Sequence, residues 1–138
     1  MQQILSNIRR VEAIESFHLR HSDYVASQGV FLNVLQLFKE IPIIGLASAT
    51  VKDKIENNQR IFTTELSFRT CTPLLPEPQK LCFLLTTVSG DRYLLGSHQR
   101  PYPLVTNSQN FPGSASAASG NVVKVDYTGP FPLLKVLD

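Results

Sequence analysis

The run LCFLLTTV at residues 81–88, followed by SGD at 89–91 and RYLL at 92–95, decides how this chain is read. Two apolar, strand-like runs flank a short loop containing glycine and aspartate, a pattern that predicts a β-hairpin. Gly96 closes the second run, because glycine takes a positive φ without steric cost. Upstream, residues 61–70 (IFTTELSFRT) put Phe62, Thr64, Leu66 and Phe68 on one side and Ile61, Thr63, Glu65, Ser67 and Arg69 on the other. Period-two alternation rich in aromatic and β-branched residues predicts a half-buried strand.

The β character begins near Ile43. Ala47, Ala49, Val51 and Asp53 share one side, against Ser48, Thr50, Lys52 and Lys54. Glu56-Asn57-Asn58-Gln59 is turn chemistry, so the two strands are expected to pair around the Asn-Asn tip. The three prolines of 72–78 mark a connection, since proline cannot donate to a ladder. Prolines 101 and 103 force 100–103 into an extended path, and Leu104 and Val105 begin a further strand. Residues 106–120 (TNSQNFPGSASAASG) are uncharged and rich in Ser, Asn, Gly and Ala, and are expected to form a flexible loop. A last strand at 121–127 alternates Val123, Val125 and Tyr127 against Val122, Lys124 and Asp126. Leu133, Leu134, Val136 and Leu137 would dock the C-terminal residues onto the core.

Two segments allow more than one reading. In 8–19, Ile8, Val11, Ile14 and the pair Phe17/His18 have near-helical spacing, whereas Phe17 and Leu19 alternate with polar neighbours as in a strand. The preferred reading is a strand ending near Leu19, preceded by a helical or irregular arm over 1–10. In 30–38, Phe31, Val34, Leu35 and Phe38 share a helical face that Ser27 could cap, yet Val30, Leu32 and Val34 also alternate. The expected architecture is one β-rich domain over 1–138. It is mainly β, an antiparallel β-sandwich or small barrel with one or two short helices.

Composition narrows the function classes. Charged residues make up 17% of the 138, below the usual share of about 25%, and leave weakly charged surface for protein contacts. Thirteen basic and eleven acidic residues, a net charge of +2, are too balanced for an electrostatically driven nucleic-acid binder. The longest nearly apolar stretch, 41–49, is far short of the roughly 20 residues that span a bilayer. The first sixteen residues lack the basic and apolar regions of a signal peptide. The expected location is therefore the cytoplasm.

Residues able to carry chemistry are scattered. His18, His21 and Asp23 form the sequence's one local group of metal-ligand types. Their spacing fits no standard zinc pattern, so polar side chains at a strand exit are the expected role. His98 reads as a solvated turn residue. Cys71 and Cys82 flank the proline-rich connection and are expected to be two buried free thiols. A disulfide is the alternative, and it requires Cα atoms within about 7 Å. Cys82 lies inside an apolar run, where packing outweighs nucleophilic use. The run GSASAASG at 113–120 lacks both a nucleophile elbow and a phosphate-loop ending. No catalytic residue, cofactor or metal is expected. Tyr93, Tyr102, Phe111 and Phe131 adjoin loops, prolines or glycines, and are the candidate interface aromatics.

The second half resembles a layout of small virion or prophage-encoded structural proteins. The matching pieces are 81–88, Ser89-Gly90-Asp91, Arg92-Tyr93-Leu94-Leu95-Gly96 and Arg100-Pro101-Tyr102-Pro103-Leu104-Val105. They continue through Gly120-Asn121-Val122-Val123-Lys124-Val125 and end in Pro132-Leu133-Leu134, covering roughly the last sixty residues. The resemblance implies a non-enzymatic head–tail joining, neck or tail component. Such a protein would bind copies of itself and other virion proteins, first in the cytoplasm and then in the particle. A small ligand-binding β domain is the alternative reading.

Overall fold

A computed structural model describes residues 2–19, 23–25, 29–31, 38–70, 80–97, 102–110, 120–129 and 132–136. The fold is mainly β and antiparallel. Its strands are β1 (Gln2–Glu15), β2 (Asp23–Val25), β3 (Gly29–Phe31), β4 (Lys39–Ile41), β5 (Ala47–Glu56), β6 (Gln59–Thr70), β7 (Leu81–Thr87), β8 (Arg92–Leu95), β9 (Leu104–Asn110), β10 (Gly120–Gly129) and β11 (Leu134–Lys135). One open sheet runs β11-β8-β7-β1-β5-β6-β10-β9, with β4 also on β1. The β2–β3 hairpin stands beside it and meets the residue just after β11 through a parallel bridge between Val30 and Val136.

Both expected hairpins form. β5 and β6 pair from Ser48↔Ser67 to Glu56↔Gln59. Asn57 and Asn58 turn with φ of 52° and 63°, the doubly left-handed geometry that matches strand twist and that asparagine tolerates. β7 and β8 pair from Phe83↔Leu95 to Thr86↔Arg92. Their turn is closed by the Thr87 amide on the Asp91 carbonyl at 2.9 Å, with Gly90 at φ 97°.

The N-terminal segment differs from expectation. Residues 2–10 are part of β1, pairing with β5 through Gln2↔Lys52 to Ile8↔Ala47. They are no helical or irregular arm. The near-helical spacing has a β explanation. Register shifts fall between Leu5 and Ile8 against β5, and between Ile8 and Arg10 against β7. Each irregularity adds a residue, so side chains three apart return to the same face. Leu5, Ile8 and Val11 thus join one core cluster, while Ile14 turns to another. The strand ends at Glu15, and Ser16–Leu19 form a single 3-10 turn, the one helical element among the described residues.

Two further expectations are corrected in part. Residues 106–110, expected as loop, belong to β9, which pairs with β10 from Leu104↔Asp126 to Asn110↔Gly120. Strand pairing on one side suffices to order a polar segment that has no core pattern of its own. Gly120 is likewise in β10, and 111–119 lie outside the described residues. At the other ambiguous segment, Val30 and Phe31 are strand, Phe38 is buried before β4, and 32–37 lie outside the described residues.

All seven residues of β7 are buried. Leu81, Phe83 and Leu85 enter one cluster with Ile8, Val11, Leu66, Phe68, Val123, Val125 and Tyr127. Cys82 and Leu84 enter a second with Ile14, Leu19, Val30, Phe38, Leu94, Leu134 and Val136. A strand covered on both faces reads as a continuous apolar run, and this is why LCFLL does not alternate. Five strand steps separate β8 from β10 in the sheet order, roughly 24 Å if the sheet were flat. Yet Tyr127 on β10 lies beside Ser97, which directly follows β8. The sheet therefore curls over its own first cluster in a sandwich-like arrangement.

Candidate interaction surface

With Ala47, Ala49 and Val51 of β5 turned into the core, Ser48, Thr50 and Lys52 lie on the outer face. Cross-strand registers align Ile4, Thr50, Glu65, Asp126 and Leu104 in one row across β1, β5, β6, β10 and β9. The next row holds Ser48, Ser67, Lys124 and Thr106. The Thr106 hydroxyl donates to the Lys124 carbonyl at 3.4 Å. Between these rows lies an open depression of about 320 Å³, lined by Ser48, Thr50, Glu65, Ser67, Lys124 and Asp126. Hydroxyl groups dominate it, with two carboxylates set against one ammonium. The row ends on exposed apolar side chains, Ile4 at 63% and Leu104 at 70% exposure.

The two ends of the sheet are finished differently. β11 is two residues long and carries Lys135, whose Nζ lies 3.6 Å from Asp91 Oδ1. It is also flanked by β3 through Val30↔Val136. A short, charged, covered strand is a protected edge. β9 is seven residues long and reads LVTNSQN, with no charge and no proline. Among the described strands it pairs with β10 alone. A long neutral edge strand offers backbone donors and acceptors to another strand.

Two of the four sequence-selected aromatics, Tyr93 and Tyr102, are described. Tyr93 on β8 is half-buried against the first core cluster, opposite Leu85 and Lys135. Tyr102 is half-buried two residues before β9, with Lys80 Nζ 4.9 Å from its ring centre. Phe111 and Phe131 lie outside the described residues. The structure thus places Tyr102, but not Tyr93, just before β9. Leu104 and Thr106, on that edge, were not singled out from the sequence. Their signal is weak, a polar neutral segment that shares its composition with a loop.

Among the described residues, Cys82 and the carboxylate Glu12 are accounted for by packing and pairing. Burial pushes the Cys82 thiol up to about 12, and it donates to the Ser97 carbonyl at 3.3 Å. A protonated, enclosed thiol is a core group, not a nucleophile. Cys82 is free, and Cys71 lies outside the described residues. Glu12 pairs with Arg10 Nε at 3.3 Å, and Arg10 reaches Glu40 at 3.5 Å. His18 sits in the 3-10 turn, Asp23 begins β2, and His21 and His98 lie outside the described residues. Among the described residues no three potential ligands gather for a metal ion. No described helix is long and apolar enough to cross a membrane. In comparisons with protein families, with curated proteins and with solved structures, no match to this chain emerges.

Proposed function

We propose that this chain is a non-enzymatic assembly protein acting through contacts with copies of itself and with neighbouring proteins. The observation that carries the reading is the β9 edge, neutral over seven residues in a molecule whose other sheet end is short, charged and flanked. The low charged fraction and the hydroxyl-rich outer face ending on Ile4 and Leu104 suit the same use. The resemblance of 81–138 to small virion structural proteins adds a setting, a head–tail joining, neck or tail component of a phage or prophage particle. Sedimentation velocity over a hundredfold concentration range tests the reading. Concentration-dependent association is expected, and a strict monomer at the highest concentration would overturn it.

The depression over β5, β6 and β10 favours a second reading, a small ligand-binding β domain. Its hydroxyl and carboxylate lining would suit a polar, hydroxyl-bearing molecule. Titrating a panel of monosaccharides and following amide shifts at Thr50, Ser67 and Lys124 would distinguish it. Unmoved signals leave the assembly reading alone.

A further inference from the structure

The assembly reading leaves the occupant of the β9 edge open, and the composition of the strand narrows it. We infer that β9 pairs antiparallel with β9 of a second copy, joining two sheets into one across a two-fold axis. This inference rests on the assembly reading. A two-fold contact demands a self-complementary surface, because each residue meets its counterpart's environment twice. Most edge strands fail that demand by design, since a lysine or glutamate near the axis would stand close to its own copy, and one farther out would be buried against an uncharged partner.

β9 meets it. Full overlap of 104–110 with itself sets Leu104 opposite Asn110, Val105 opposite Gln109 and Thr106 opposite Ser108, all neutral pairs. The nearest charges, Lys124 and Asp126, stand one strand inward on β10, opposite Thr106 and Leu104. Leu104, exposed at 70%, would gain cover from the added strand. The opposite sheet end does not offer an equivalent: β11 has two residues, one of them Lys135, and β3 lies beside it. Pairing therefore closes at two copies through this edge and does not propagate as a filament.

The test uses the full chain. Peptides spanning 104–110 are followed by hydrogen–deuterium exchange at low and high protein concentration, alongside sedimentation of wild type, Thr106→Glu and Leu104→Lys. Each variant faces an opposite charge on β10, Lys124 or Asp126, so the fold is kept, while a charge now sits on the edge. Expected are at least fivefold slower exchange of 104–110 at high concentration and at least tenfold weaker association of both variants. Association with unchanged exchange of 104–110 and undiminished by either variant would place the contact elsewhere, overturning the inference while sparing the assembly reading. A strict wild-type monomer overturns both. If a variant fails to fold, the wild-type exchange result decides alone.

Discussion

Cys82 and Gly96 sit in contact across the β7–β8 hairpin, so close that a Cβ built on Gly96 would lie 2.8 Å from Cys82 Sγ. Gly96 also has φ 104°, a backbone conformation that side chains resist, and Pro103 Cγ would lie 3.1 Å from the same Cβ. Glycine is thus required twice at this position, by conformation and by space. Gly96→Ala is expected to lower stability by about 2–4 kcal/mol, combining left-handed strain with overpacking. In a Cys82→Ala background the added penalty shrinks, because the sulfur is gone and only the strain and Pro103 remain. A double-mutant cycle in urea measures the coupling, and additive losses would remove the steric part of the argument.

The Cys82 thiol, raised to about 12 by burial, links stability to alkaline pH. Below the ordinary thiol value near 8.5, folded and unfolded chains both carry the proton. Above it the unfolded thiol ionises while the folded one does not, so folding loses stability progressively up to about 12. The slope approaches 1.4 kcal/mol per pH unit for this one group. Burial also raises the Tyr127 phenol, an effect that neighbouring Ser97 partly offsets, which steepens the fall above pH 10. Melting temperatures at pH 8 and pH 10 should therefore drop less for Cys82→Ala than for wild type.

Thr64 on β6 is paired directly with Tyr127 on β10, and its side chain is buried in the core face. Its hydroxyl oxygen is enclosed without a hydrogen-bond partner among the described residues. An unmatched buried hydroxyl costs about 1–3 kcal/mol, and an apolar group of the same shape avoids that cost. Thr64→Val is expected to stabilise the fold by about 1 kcal/mol, read as a higher urea midpoint at unchanged slope. A lower midpoint would mean that the hydroxyl is satisfied in solution.

The Asn57-Asn58 tip holds both residues at positive φ. Asparagine bears this better than most residues, glycine better still, and valine badly. Asn58→Gly should raise the melting temperature slightly, and Asn58→Val should lower stability by about 1–2 kcal/mol. Equal melting temperatures for the two variants would show that the tip is not held in this geometry.

How much of this was legible in the sequence depended on whether a segment's neighbours were close in the chain. The hairpins at 47–70 and 81–95 and the strand at 121–127 were, because period-two alternation and turn residues act locally. So was the burial of Cys82, from the apolar run around it. The candidate surface was not. Leu104 and Val105 open the strand that the sequence leads one to expect, but residues 106–110 look like a loop because TNSQN encodes no strand without β10 beside it, and the value of β9 as an edge exists only once the sheet order is known. β1 misleads for a related reason. Its bulges are set by register against β5 and β7, and they convert a strand into an imitation of helical spacing.

By itself the sequence determined a mainly β chain, the two tight turns, the faces of β5, β6 and β10, and the position of Gly96. These follow from steric limits on φ and from the alternation of side chains along extended backbone, which need only neighbouring residues. Tertiary structure decided that the first strand lies in the middle of the sheet, that β7 is covered on both faces, and that β9 has β10 as its one neighbour among the described strands. Those facts come from hydrogen bonds and packing between residues far apart in the chain, such as Gln2↔Lys52 and Ile8↔Thr87, and no local pattern carries them.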